Sequence, residues 1–156
     1  MIPKIIHYCW FGKKPLPKLA LKCIASWKKF LPDYEIKEWN EDNFDVNQIP
    51  YTSEAYACKK YAFVSDYARF KIMYEYGGIY FDTDVEVIKP LDDIISAGPF
   101  FGMEMIQELQ AINTYNPALD FACAPGLGFA CAPGLGLCKE MTDYYKTENF
   151  ILSNGC

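Results

Sequence analysis

Residues 74–90 read YEYGGIYFDTDVEVIKP, and two carboxylates, Asp82 and Asp84, stand in the middle of the run. An extended chain sends successive side chains to opposite faces, so Ile79, Phe81, Thr83, Val85 and Val87 would share one face. Tyr80, Asp82, Asp84 and Glu86 would share the other. At about 3.3 Å of rise per residue the two aspartate Cα atoms would be roughly 6.6 Å apart. Like charges at that spacing repel, and burying either is costly without a partner. A divalent cation removes the cost: Mg²⁺ and Mn²⁺ are hard ions that take oxygen ligands, commonly one or two carboxylates plus the phosphates of a substrate. The pattern points to a metal–diphosphate site. The competing reading is an edge strand with a wet polar face, since Asp-x-Asp is a short motif with many chance matches.

Such a site needs elements to hold it. Ile2 to Tyr8 reads as a first strand, broken by Trp10-Phe11-Gly12. Lys18 to Phe30 has helical spacing through Leu19, Ile24, Trp27 and Phe30. Tyr34 to Trp39 alternates as a second strand. Ser53 is placed to cap a helix starting near Glu54, which runs to Tyr76 with a break near Val64-Ser65 and ends on Gly77. A third strand over Ile79 to Ile88 would stop at Pro90, with a fourth over Phe100 to Glu104 and a last helix over Leu137 to Tyr145. Strands alternating with helices predict an α/β fold, in which ligands sit at the carboxyl ends of strands. Trp10, after the first strand, and Asp82 and Asp84, in the third, would meet there.

A length of 156 residues fits one domain, and 51% apolar with 17% aromatic residues argues for a packed core and against disorder. A net charge of −5 argues against a nucleic-acid surface, and the pairs Lys13-Lys14, Lys28-Lys29 and Lys59-Lys60 read as solvated. Seven cysteines occur without a Cys-x-x-Cys and with a single histidine, which gives little support to structural zinc. Reduced thiols in a cytoplasmic protein are expected, because the start MIPKIIHYCWFG lacks the apolar core of a signal peptide. No apolar run reaches the ~18 residues of a membrane span, which leaves peripheral membrane contact at most. FACAPGLG at 121–128 is repeated at once at 129–136. Its Pro-Gly steps read as loop, with weak order expected from about residue 105 to 136.

IPKIIHYCWFG at the start, and FVSDYARFKIMYEYGGIYFDTDVEVIKPLD at 63–92, together resemble the glycosyltransferases that carry a D-x-D sugar-binding region. These are capsular-polysaccharide and mannosyltransferase-like enzymes, related to the glucosylating domains of clostridial toxins. The likeness lies in SDYAR, the Gly-Gly pair and Tyr-x-Asp-x-Asp at matching spacing, with GLGF at 126–129 and KEM at 139–141 behind them. It implies a GT-A-like (Rossmann-like) α/β fold in one domain over 1–156, incomplete at its C-terminus. Residues 1–104 would form the donor-binding part and 105–156 a partial acceptor-side part.

The resemblance further implies a UDP- or GDP-sugar donor, Mn²⁺ or Mg²⁺, and transfer with retention to a saccharide or lipid-linked acceptor in glycan or polysaccharide biosynthesis. The expected place is the cytoplasm, with contact at the inner face of the membrane at most. Asp84 would be the direct metal ligand, and Asp82 would contact ribose or sugar while supporting the metal. Tyr80 would lie near the nucleotide, Asp66 and Arg69 would hold the sugar hydroxyls, and Trp10 would stack on or flank the base with His7 nearby. Asp66, Arg69 and Asp82 form the implied catalytic set.

Plainer roles stand beside these: a surface ion pair for Asp66 and Arg69, three apart on a helix, a strand-end plug for Trp10, and a satisfied core position for His7. No histidine follows His7 and no tryptophan follows Trp39, where the family's later segment often supplies both, so little transferase turnover is expected. Two rival functions are a haloacid-dehalogenase-like phosphatase with Asp82 as nucleophile, since IYFDTDVEV fits its motif, and a nucleotide-sugar binder without turnover.

Overall fold

The computed structural model describes residues 1–105, 121–123 and 125–150. The chain begins with strand β1 (Ile5–Cys9), helix α1 (Lys18–Phe30) and strand β2 (Glu35–Trp39). Two helices follow, α2 (Pro50–Ala57) and α3 (Tyr61–Tyr76), then strand β3 (Gly78–Tyr80) and a short helix α4 (Asp92–Ser96). Strands β4 (Phe100–Phe101), β5 (Met103–Met105), β6 (Phe121–Cys123) and β7 (Phe129–Cys131) precede the last helix, α5 (Gly136–Thr147). The main sheet has the order β2-β1-β3-β7-β4. β1 runs parallel to β2 and β3, and β7 runs antiparallel to β3 and β4. β5 and β6 pair as a separate antiparallel ribbon.

Alternation along the central strands divides two apolar layers. Ile6 and Tyr8 of β1, Ile79 of β3 and Ala130 of β7 pack with Cys23, Ile24 and Trp27 of α1. Cys9, Tyr80, Phe129 and Cys131 pack on the opposite face with Tyr67, Phe70 and Met73 of α3 and Cys138 of α5. Both faces are covered, as expected of the parallel part of an α/β sheet. α1 buries Ala20, Cys23, Ile24 and Trp27, a stripe at helical spacing, while Leu19 is 57% exposed. Ile24 and Trp27 hold the expected face, with Phe30 packed against it, but Ala20 and Cys23 complete it in place of Leu19. Gly77 closes α3 in the left-handed region, and a Cβ on the following Gly78 (φ 102) would lie 2.5 Å from the Ile5 carbonyl oxygen. Glycine is required there to bring β3 against β1.

Several boundaries differ from those read in the sequence. α2 starts at Pro50, a favoured first position, and Ser53 lies inside it with Oγ donating to the Pro50 carbonyl (3.0 Å). The break between the helices falls at residues 58–60, and Val64 and Ser65 lie within α3. β3 ends at Tyr80 instead of continuing to Ile88. The duplicated octapeptide is not loop throughout: residues 121–123 and 129–131 are strands, the latter fully buried in the main sheet between β3 and β4, while the second Pro-Gly step lies in a turn over 132–135. Residues 106–120 of the segment expected to be weakly ordered lie outside the described residues. Cys9, Cys23, Cys131 and Cys138 are free thiols, but Cys58 is disulfide-bonded, which corrects the expectation of seven free thiols. Among the described residues no helix is long and apolar enough to cross a membrane.

Candidate active site

The two aspartates do not sit on a strand. After Tyr80 the chain leaves the ladder: the Phe81 N–H still bonds the His7 carbonyl (3.1 Å), but the Asp82 N–H turns to the Gly126 carbonyl (3.0 Å). The Val85 N–H then closes a turn on the Asp82 carbonyl (3.1 Å). Beyond the turn, α1 holds the chain down. The buried Trp27 donates its indole N–H to the Val85 carbonyl (2.8 Å), and Ser26 Oγ accepts from the Val87 N–H (2.9 Å). Asp82 and Asp84 are therefore carried at the carboxyl end of β3 on a turn pinned from both sides, not by the alternation of a strand.

A cavity of about 650 Å³ opens at this end of the sheet. Its wall comes from the end of β1 and the following loop (Cys9, Trp10, Phe11, Lys14), from the α2–α3 junction and first turns of α3 (Lys59, Tyr61, Ala62, Ser65), from Arg69, and from Asp82, Thr83 and Asp84. Trp10, Arg69, Asp82 and Asp84 meet on this wall. Asp66, Tyr80 and His7 lie off the wall.

Each of those three has a definite position. Asp66 receives the Arg69 guanidinium at 2.7 Å, and Arg69 Nη2 also stands 3.6 Å from Asp82 Oδ1. Arg69 is 8% exposed, with Nε donating to the Ser65 carbonyl (3.2 Å) and its guanidinium over the Tyr80 ring (5.3 Å to the centroid). Burial pushes the Asp66 pKa up, against the pull of Arg69, and the Asp82 charge adds to the rise. Burial alone would lower the Arg69 pKa, but Tyr80, Asp82 and Asp66 outweigh it, so the guanidinium stays charged. Tyr80 is fully buried, its phenol pKa driven well up by burial first, and its hydroxyl donates to Asp82 Oδ1 (2.9 Å). It supports the Asp82 carboxylate from beneath. His7 is fully buried on the α3 side of the sheet. Its Nε2 bonds the Gly77 carbonyl (2.9 Å) and its Nδ1 accepts the Trp39 indole N–H (3.0 Å). Both ring nitrogens are engaged within the core.

Asp82 is thus committed to Tyr80 and Arg69, whereas the Asp84 carboxylate is exposed and has no ion pair among the described residues. Gly126 closes over Asp82 on its remaining side: a Cβ there would fall on Asp82 Oδ2 and lie 3.2 Å from Arg69 Nη1. Cys9 forms part of the cavity wall with its thiol pKa pushed up to about 12 by burial, so it presents a neutral S–H. Trp10 is fixed at the rim by its indole N–H donating to the Lys14 carbonyl (2.6 Å). Sequence reasoning missed Lys14, Lys59 and Gly126 as site residues. The lysine pairs read as solvated surface, and only the GLGF match touched Gly126.

The family profile described as "Glycosyltransferase sugar-binding region containing DXD motif" matches residues 17–101. An uncharacterized glycosyltransferase of Acanthamoeba polyphaga mimivirus is 36% identical over 107 residues, covering 65% of this chain and 43% of that protein. Inositol phosphoceramide mannosyltransferase 3 of Schizosaccharomyces pombe is 33% identical over 98 residues, 60% of this chain and 27% of that one. The initiation-specific alpha-1,6-mannosyltransferase of Candida albicans is 31% identical over 104 residues, again 60% and 27%. The chain spans less than half the length of these relatives. Among solved structures, the PaToxG glycosyltransferase superposes with a TM-score of 0.63 at 22% identity, over 91% of this chain and 59% of that one, a likeness of fold.

Proposed function

The chain belongs to the family of glycosyltransferase sugar-binding regions containing a DXD motif, and from that premise we propose that its cavity binds a UDP- or GDP-sugar for transfer, with retention, to a saccharide or lipid-linked acceptor. The observation that carries this reading is the cavity of about 650 Å³ that collects an aromatic ring, a buried guanidinium and two aspartates at the carboxyl ends of β1 and β3. That volume suits a small-molecule ligand, and that edge is where α/β sheets bind nucleotides.

The donor set suits a hard divalent cation completed by substrate. Among the described residues no three acidic, histidine or cysteine side chains gather into a preformed cage. A free carboxylate on Asp84 beside the tethered one on Asp82 is what Mg²⁺ or Mn²⁺ needs when phosphates supply the remaining oxygens. Asp84 would hold the ion, with Asp82 in support. When bound, it would offset the charge that accumulates on the departing nucleoside diphosphate.

The remaining roles fall to the chain itself. Trp10, anchored by Lys14, offers a ring for the base. Asp82, held by Tyr80 and Arg69, and Asp66, held by Arg69, orient the sugar so that C1 faces the acceptor, a positioning effect. We place acceptor attack on the face the leaving group departs from, with the leaving phosphate oxygen taking the acceptor proton. A cytoplasmic site at the inner membrane face would suit a lipid-linked acceptor, and the Cys58 disulfide is the observation that weighs against that compartment.

Calorimetry with UDP and GDP tests the binding claim. One of them should bind in the presence of Mn²⁺ or Mg²⁺ and be released by excess chelator. A donor-hydrolysis assay then separates binding from turnover. Binding of neither nucleotide under any metal condition would overturn the reading.

A further inference from the structure

Among the described residues only two other than glycine have a left-handed backbone, Lys13 (φ 58) and Lys59 (φ 58). That conformation costs an L-residue on the order of 1 kcal/mol, and glycine is the usual occupant. Lys59 itself lines the cavity, and Lys13 directly precedes Lys14, which lines the same cavity. Lys59 follows the last turn of α2. Its N–H bonds the Tyr56 carbonyl (2.9 Å) and the Lys60 N–H bonds the Ala55 carbonyl (2.8 Å), the paired bonds of a Schellman end where glycine is ordinarily found. The turn through Gly12 and Lys13 folds Lys14 back until its carbonyl reaches the Trp10 indole. In each place strain is retained where a glycine would remove it, and in each a lysine is delivered to the cavity wall.

The charge balance of the wall gives this a purpose. Neither Lys14 nor Lys59 has an ion-pair partner among the described residues, whereas Arg69 is committed to Asp66 and Asp82. With Arg69 held by Asp66 and Asp82, Lys14 and Lys59 are the cations of the wall that remain available to an anion. A wall built only to hold a metal ion would not need them.

We propose that Lys59 and Lys14 grip the diphosphate of the donor and stabilise it as it leaves, an assignment that rests on the nucleotide-sugar reading above. In the transfer step the bond from sugar C1 to the β-phosphate oxygen breaks and its electron pair stays on that oxygen. A bond forms from C1 to the acceptor oxygen, and the acceptor proton passes to the phosphate. Negative charge therefore grows on the diphosphate as the reaction advances, and cations fixed beside it act where the charge develops. Free rotation of a lysine side chain would weaken the effect; the strained backbone fixes where each side chain starts.

Lys59→Gly separates this role from a structural one, because glycine relieves the φ strain while removing the charge. Calorimetry of the full chain with Mn²⁺ and UDP, GDP or inorganic pyrophosphate is the measurement. The variant should melt at or above the temperature of the unaltered chain. It should bind the preferred nucleoside diphosphate and pyrophosphate about tenfold more weakly, ~1.4 kcal/mol. Lys59→Arg should restore binding and Lys14→Met should lose it to a similar degree. Lys59→Gly binding diphosphates as tightly as the unaltered chain would overturn the assignment and leave the nucleotide reading standing. Lysine-dependent pyrophosphate binding with no gain from a nucleoside would uphold the clamp and overturn the nucleotide reading. No binding of any diphosphate would overturn both.

Discussion

Gly126→Ala isolates the support of Asp82 from every residue that would touch substrate. The new methyl would fall on Asp82 Oδ2, 3.1 Å from its Cγ and 3.2 Å from Arg69 Nη1. The backbone at 126 cannot simply withdraw, because its carbonyl accepts the Asp82 N–H (3.0 Å). The carboxylate must swing away, and in doing so it gives up the Tyr80 hydroxyl (2.9 Å) and its approach to Arg69 (3.6 Å). A hydrogen bond to a charged group is worth about 1.5–3 kcal/mol. The Asp82 side chain is 35% exposed, so water recovers part of that, and the net loss with crowding should be about 1–2 kcal/mol. Binding should suffer more than folding, because a carboxylate moved by an ångström no longer meets its ligand, an effect on the order of 100-fold. The matched control is Gly134→Ala, the same position in the second copy of the octapeptide. It has nothing within 4 Å but has φ +81, so it should cost about 1 kcal/mol of strain and leave binding unchanged. Urea denaturation and calorimetry of a nucleoside diphosphate with Mn²⁺ measure the two quantities. If Gly126→Ala binds as tightly as Gly134→Ala, the reasoning about Asp82 fails.

Asp84→Asn should abolish metal-dependent binding of a nucleoside diphosphate with little loss of stability, since the side chain is exposed; tight binding unaffected by chelator would contradict this. Asp66→Ala and Arg69→Ala should weaken discrimination between donor sugars more than affinity for the bare nucleotide, and competition calorimetry distinguishes that from equal losses caused by misfolding. Burial holds the His7 pKa down at about 4, so the ring is neutral in the fold and protonates near 6.5 when unfolded. Its contribution, at most ~3 kcal/mol, is complete above about pH 6.5 and disappears as pH falls toward 4. His7→Gln should flatten that limb of the stability profile, and an equally steep limb in the variant would refute the assignment.

Residue types disclosed the site more readily than its scaffold. Asp82 and Asp84 stood out because two carboxylates in an apolar run need an external charge, whereas Asp66 and Arg69 entered through the family resemblance, their helical spacing alone giving no more than an ion pair. Their support was hidden. β3 stops at Tyr80 because the Asp82 N–H finds the carbonyl of Gly126, a partner remote in sequence that no local periodicity encodes. The α2–α3 junction escaped notice for a related reason. Its left-handed residue is Lys59, where the usual glycine signal is missing. In α1 the buried stripe includes Ala20 and Cys23, too small to mark a face by hydrophobicity, while the larger Leu19 is exposed.

The octapeptide shows most directly where local sequence loses its authority. One text, FACAPGLG, lies twice in succession, and the two copies serve different layers. Phe129, Ala130 and Cys131 of the second are fully buried because β3 and β4 pair with them on both sides; Gly126 of the first is laid against Asp82. Strand propensity is a property of context more than of the residues. Removing either copy yields the same shorter chain, and in it the surviving FAC must stay in the sheet to lead into α5. The residues just ahead of it would then be Ala118, Leu119 and Asp120 in place of Gly126, Leu127 and Gly128. Gly128 has φ +129 with the Phe81 ring 2.7 Å from its would-be Cβ, so an aspartate there is strained as well as crowded, and an alanine replaces the glycine over Asp82. The eight-residue deletion should therefore keep the main sheet, by circular dichroism, while weakening diphosphate binding at least about tenfold, ~1.4 kcal/mol. Unchanged binding in the deleted chain would mean that the glycines ahead of β7 do not shape the site.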